Sequence, residues 1–380
     1  MSGRPTDHKN INLAELHKLV VAGKAGGKII WQPRIQCWID DKKYAGEEFP
    51  EPYTGLKKVE IYKKLNCSAR IYEYNGCFQR IDDDRVKRDS RQLNDGQVEH
   101  SIETPVGTIT SITEEMESTW ASKTQKWWIE SEEDLKAAIW LEERTQYRWN
   151  EDHFQQTKKT WGDLGAPTVF LPRVNIQHLY IDMMGVENAT YALFDYPELV
   201  EKYFSVLDDS HQRLIKVVNQ SPVDIINFGD NIHAGTLSPK LFEKYVLPAY
   251  QKRNEQLHKA GKFTHAHWDG DTKTLLPYAQ ETGLDGIEAI TPEPQGDVTL
   301  DEVKESLGDM YLLDGIAAVL FNDTYSEKRL IEQAKKTIDL FAPNLVLGIS
   351  DEISSQGDID RIKTVGKIVD DYNARRKRNY

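Results

Sequence analysis

From about residue 160 onward, short β-branched or apolar runs alternate with longer amphipathic segments, the pattern of strand–helix units that build a parallel sheet. The runs 167–174 (PTVFLPRV), 223–230 (VDIINFGD), 262–269 (KFTHAHWD), 284–291 (LDGIEAIT), 309–316 (DMYLLDGI) and 344–351 (NLVLGISD) predict strands. Helices are predicted between them, notably at 197–218 and 238–261. In the second, Ser238 is placed to cap the first turn, Pro239 suits the first helical position and Gly261 the stop. Nearer the N-terminus, 13–24 predicts a helix and 27–38 (GKIIWQPRIQCW) a first barrel strand. The whole pattern predicts an α/β chain, a (β/α)8 TIM barrel forming a single domain over 1–380.

The segment 69–129 departs from that rhythm. HSIETPVGTITSITEEM alternates with period two about a Pro-Val-Gly-Thr turn, predicting an antiparallel β-hairpin in an N-terminal insertion near the barrel mouth. A separate N-terminal domain of about 150 residues is the competing reading, since neither a low-complexity linker nor an internal repeat marks a boundary.

With 380 residues and 39% hydrophobic content, the chain can bury a sizeable core. It contains no run near the ~18 apolar residues of a membrane-spanning helix, and MSGRPTDHKNINLAEL lacks the apolar core of a signal peptide. A cytoplasmic location is expected. Cys37, Cys67 and Cys77 form neither a disulfide framework nor a CxxC pair, which suits a reducing compartment. A net charge of −13 argues against nucleic acid as a partner, and the basic run 375–378 reads as a solvated tail.

In a parallel barrel, chemistry stands at the C-terminal ends of strands. Five predicted strands end in candidate groups: Asp230; His265, His267 and Asp269; Glu288; Asp314; and Asp351 with Glu352. A single carboxylate after a strand often only caps the next helix, but five in series point to an active centre. His265-Ala-His267-Trp-Asp269-Gly270 is the sharpest signal, because alternate residues of a strand share a face. His267 and Asp269, with Glu288 and with Asp351 or Glu352 closing from the last strand, are expected to hold Zn2+ or another divalent metal. A pair of core histidines bonded to carbonyls is the bland alternative. Without metal, Asp230, Glu288 and His265 would serve as acid and base. Trp31, Trp38, Tyr180 and Trp268 are candidates to wall a substrate pocket, core positions being the alternative; Arg34 and Asp314 are candidates to bind the substrate.

The segments GAP (165–167), PELVEKYFSVL, GDN (229–231) followed by SPKLFEKYVLP, and HWDG followed by LLPYAQETGLDGIE resemble the uroporphyrinogen decarboxylase superfamily, closest in character to its corrinoid-linked methyltransferase branch. The resemblance implies a barrel fold and a methyltransferase that moves a methyl group between a small substrate and a corrinoid carried by a partner protein. In that reading the metal polarises the substrate and Asp230 or Glu288 manages the proton. A homodimer is a further implication. Two departures qualify it: the arginine-rich motif of the decarboxylases is reduced to Arg34, and the zinc-binding cysteines of the methyltransferases are replaced by Asp269 and by Ser350 or Asp351. The alternative is a metal-free decarboxylase or lyase acting on a small carboxylic acid held by Arg34 and Arg173. A non-catalytic barrel used for binding is the third reading.

Overall fold

The computed structural model describes residues 12–376 except 95 and 118. The start of the chain and the end of the basic run, both read above from sequence, therefore lie outside the described residues in part.

Among the described residues, thirteen strands occur in chain order. The first seven are β1 (Ile30–Trp31), β2 (Phe78–Ile81), β3 (Lys87–Asn94), β4 (Gln97–Thr104), β5 (Gly107–Glu115), β6 (Ser122–Lys126) and β7 (Gln146–Trp149). They are followed by β8 (Thr168–Leu171), β9 (Ile225–Ile232), β10 (Phe263–Trp268), β11 (Gly286–Glu288), β12 (Tyr311–Ala317) and β13 (Leu345–Ser350). Seven of them form one curled, all-parallel sheet in the order β1-β13-β12-β11-β10-β9-β8. Residues 67–71 bridge its two edges: the Ser68 amide donates to the Trp31 carbonyl (2.9 Å) and the Ala69 amide to the Leu164 carbonyl (2.8 Å).

Buried on both faces, these strands sort their side chains by alternation. Ile30, Ile225, Tyr311, Leu313 and Val346 face the interior, where Leu16, Val20 and Val21 of the helix Leu13–Val21 pack against them and close the N-terminal end. Trp31, Ile226, Ala266, Trp268, Ile287, Leu312 and Leu347 face the surrounding helices. One of these, Pro197–Gln220, buries the stripe Val200, Tyr203, Phe204, Leu207, Leu214, Ile215 and Val218, with Pro197 in its first turn.

The parallel sheet has seven strands among the described residues, not the eight of the expected (β/α)8 barrel, and two predicted elements also need adjustment. The predicted strand over 27–38 ends at Trp31; Pro33 follows, and Gln36–Tyr44 is a helix carrying Trp38 into the core. The predicted helix over 238–261 has its Ser238 cap and left-handed Gly261, but Phe242–Val246 forms a π turn before Leu247–Lys259. Pro248 has no amide to continue the ladder, and a single wide turn absorbs that loss.

The insertion is larger than a hairpin. β4 and β5 pair in register from Gln97↔Glu114 to Thr104↔Gly107 across the Pro105-Val106 turn, and β3 and β6 extend them to four antiparallel strands. Ile102 and Ile109 pack this sheet on Ala137 and Leu141 of the helix Glu132–Arg144. The β5–β6 turn is tied to the helix Gln36–Tyr44, because Asp41 accepts from the Thr119 hydroxyl (2.7 Å) and the Trp120 amide (3.3 Å). Among the described residues, no helix is long and apolar enough to cross a membrane.

The bridging segment runs so close to the chain before β8 that a Cβ at Gly165 would collide with the Ala69 carbonyl. Gly165→Ala is expected to destabilise the protein by about 1–3 kcal/mol, the usual cost of overpacking, as measured by urea denaturation.

Candidate active site

Inward positions near the C-terminal end of the sheet are polar and buried: Gln32, Asn227, His265, His267 and Glu288. Burying such groups is costly unless they are bonded to one another, and here they are. Glu288 lies at the centre. Its Oε1 receives Arg70 Nη1 and lies 3.2 Å from His267 Nδ1; its Oε2 receives Asn227 Nδ2 and lies 3.5 Å from His265 Nε2. Beneath it, His265 Nδ1 is 2.7 Å from the Tyr311 hydroxyl.

Arg70 comes from the bridging segment. Its Nη2 donates to Asp314 Oδ1 at 2.8 Å, so one guanidinium joins carboxylates from β11 and β12. Alternation would send Asp314 outward, since Tyr311 and Leu313 face inward and Leu312 faces out. A φ of +89° at Asp314, followed by +95° at Gly315, turns it toward Arg70. The seat it takes is open because a Cβ at Gly348 would strike the Asp314 carboxylate.

Toward the mouth stand Arg34, Glu352, Tyr72 and Asp269. Arg34 is 10% exposed; its Nη1 is 3.9 Å from Glu288 and its Nε 3.7 Å from Glu352, and neither nitrogen has a hydrogen-bond partner. Glu352 instead accepts from the Cys37 amide (2.8 Å) and the Tyr72 hydroxyl (3.2 Å). Asp269 Oδ2 lies 3.8 Å from His267 Nε2, and at 24% exposure its side chain is the more open of the two.

These contacts set the proton affinities. Burial alone would discourage a charge on His267, but the neighbouring carboxylates of Asp269 and Glu288 raise its pKa to about 9. Burial pushes Glu288 upward, yet Arg70 and the two histidines outweigh it and hold this carboxyl well below its ordinary range. Burial raises Asp314 to about 6 against the pull of Arg70 and Arg34. His265, wholly buried, is lowered by desolvation, so the two histidines of one strand carry different charges at neutral pH.

The structure thus brings together His265, His267, Glu288, Asp314, Arg34, Asp269 and Glu352. Asp230 does not join them: it lies on the opposite face of β9, accepting from the Val174 amide and from the Tyr250 hydroxyl at 2.7 Å. Asp351 is exposed at the end of β13. The aromatic residues considered for a pocket wall are core. Trp31 donates to the Ile362 carbonyl (3.2 Å), Trp268 packs edge-on to Phe242, and Tyr180 is 3% exposed in the turn Leu179–Met183. Trp31 and Trp268 sit at outward positions, so alternation itself separates them from the site. Arg70, Asn227, Gln32 and Tyr72 were missed. Arg70 carried no strand or helix signal, because residues 67–71 form neither a regular strand nor a helix.

The donor set does not fit a metal. Among the described residues, no group of three or more His, Cys, Asp or Glu side chains is gathered as an ion would require. Glu288 is engaged by Arg70 and Asn227, Glu352 by Cys37 and Tyr72, and an ion between these carboxylates would face the Arg34 guanidinium.

A curled parallel sheet with a buried acid–base cluster at its C-terminal strand ends defines the class of α/β barrel-like enzymes. The chain belongs to the uroporphyrinogen decarboxylase (URO-D) family, whose sequence profile matches residues 178–372. A methyltransferase from Methanosarcina mazei has a similar structure (TM-score 0.58), at 12% identity over 96% of this chain and 100% of that one. A putative vitamin-B12-independent methionine synthase from Listeria monocytogenes has 13% identity over 91% and 96% of the two chains, with a TM-score of 0.44. No curated protein matches the sequence.

Removing Arg70 would leave Asp314 buried without its bonded cation and Glu288 with His267 as its remaining close cationic partner. Arg70→Leu is expected to cost about 3–5 kcal/mol of unfolding free energy at pH 7, read from denaturant midpoints.

Proposed function

We propose that this chain is a methyltransferase in which His267, protonated at neutral pH, is the general acid for a small substrate bound at the barrel mouth. The observation that carries this reading is the position of His267 between Glu288 and Asp269, which keeps a proton available beside solvent. When a methyl group leaves an oxygen, sulfur or nitrogen, the bonding electron pair stays on that heteroatom. Proton transfer from His267 neutralises it as the bond breaks. Glu288 steadies the imidazolium from behind, and Asp269, partly exposed, lies on the path by which solvent returns the proton. Arg34, with two unpartnered nitrogens, is the group available to orient an anionic part of the substrate.

A reduced corrinoid on a partner protein would supply the nucleophile that takes the methyl group. The exposed Asp351 and the partly exposed Asp269 leave the solvent side of the cluster open to such an approach. The near end-to-end likeness in fold to the Methanosarcina mazei methyltransferase supports this reading.

A second reading, decarboxylation of a small acid, is favoured by Arg34, whose Nε and Nη1 have no hydrogen-bond partner and could hold a carboxylate. There the bond to the carboxylate breaks, CO2 leaves, and the electron pair left on carbon takes the same His267 proton. Two assays separate the readings. Methyl transfer predicts methylcobalamin formation, seen by absorbance, when the chain is mixed with cob(I)alamin and a panel of methyl ethers, thioethers and methylamines. Decarboxylation predicts labelled CO2 from carboxyl-labelled acids with no acceptor present. Silence in both assays would count against both readings.

His267→Gln is expected to lower kcat by about 10²–10⁴-fold in whichever assay is active. Because the protonated form is the working one and its pKa is raised to about 9, activity should hold through neutral pH and fall as pH rises through about 9. A rate that instead climbs through pH 9 would assign His267 the role of base.

A further inference from the structure

Two arginines stand at strand ends on either side of the bridging segment, Arg34 beyond β1 and Arg173 beyond β8. Arg173 is held in one orientation. Its Nη1 donates to Asp182 at 2.8 Å, its Nη2 donates to Asn231 at 3.2 Å, and Nε has no partner. Asp182 is itself fixed by His178 at 2.8 Å, and Asn231 adopts a left-handed backbone (φ +52°) at the end of β9. A non-glycine residue in that conformation costs energy, and the fold tolerates it where it aims a side chain at a guanidinium.

Between the two arginines lie aromatic rings. Tyr72 and Phe170 are half-buried with centroids 5.5 Å apart. Phe170 is at an inward position of β8, and its ring lies over Gly229, where an added Cβ would come within 3.0 Å of it. The mouth therefore carries a cation, an apolar aromatic surface and a second cation in sequence around its rim.

We propose that Arg173 forms a second anion subsite, and that the substrate is a small dianion with an apolar body: one anionic group on Arg34, the body on Tyr72 and Phe170, the other anionic group on Arg173. This rests on the reading that the reaction takes place at this mouth. Arginine suits both ends because a guanidinium carries five N–H donors, so Arg173 keeps donors beyond those it gives to its ion-pair partner Asp182 and to Asn231, and charge-assisted bonds to a carboxylate or phosphate are the stronger ones. A second anchored charge adds affinity without any change in the reacting groups around His267.

The test is binding without turnover. Calorimetry on the full chain compares terephthalate with benzoate, and adipate with hexanoate. The dianion of each pair is expected to bind at least about tenfold more tightly, and Arg173→Gln to erase that advantage while leaving the monoanion unchanged. Should Arg173→Gln not fold, Arg173→Lys serves the same purpose: it keeps a charge, loses the fork and is expected to weaken the dianion selectively. Equal affinity within each pair, no binding of either up to ~10 mM, or an advantage that survives both variants would overturn the proposal. Dianion selectivity that depends on Arg173 alongside silent methyl and CO2 assays would instead defeat the preceding reading and leave this subsite standing.

Discussion

The polar interior of this curled sheet is organised by the buried guanidinium of Arg70. Arg70 projects from the segment that bridges the sheet edges and reaches the carboxylates of Glu288 and Asp314 on the far strands. Unpaired, any of the three charges would be intolerable in the interior; together they are held, and each fixes the others. Asp314 reaches the pair only through a left-handed backbone, and only because position 348 has no side chain. Glu288, ionised by Arg70, then keeps the proton on His267. The chemistry at the mouth thus depends on an ion pair one layer below it.

Backbone strain follows the same geography. Of the five non-glycine residues with positive φ among the described residues, Asn231, Ala289 and Asp351 lie at or just past the C-terminal ends of sheet strands and Asp314 lies within β12. Such conformations persist where surrounding structure over-determines them, and they gather where side chains must be aimed rather than merely packed. The opposite end of the sheet is apolar and closed by the first helix. One end supplies stability and the other chemistry, the division of labour expected of a parallel barrel. The four-stranded antiparallel sheet is tied, through its β5–β6 turn, to the helix that follows Arg34.

Much of this was legible before any coordinates. The alternation of apolar runs with amphipathic segments located all six later strands of the sheet, because a parallel strand covered on both faces must be apolar and a covering helix must repeat every three or four residues. The period-two pattern around Pro105-Val106 located β4 and β5, though not the flanking β3, whose residues are exposed and polar and carry no burial signal. The spacing of His265, His267 and Asp269 placed three groups on one face, because side-chain direction along a strand is local.

Tertiary structure decided what alternation cannot express. Asp230 and Asp314 look alike in sequence, each an acid closing an apolar run, yet the first faces the helices and the second the interior, because backbone dihedrals at strand ends override the period of two. Arg70 was invisible because its segment joins no regular strand, and its value lies in partners more than 200 positions away. Which groups stand at strand ends is a local matter, and sequence determined it. Which of them meet, which carry protons and whether they suit a metal depend on long-range contacts and the burial those contacts create, and the fold alone decides that.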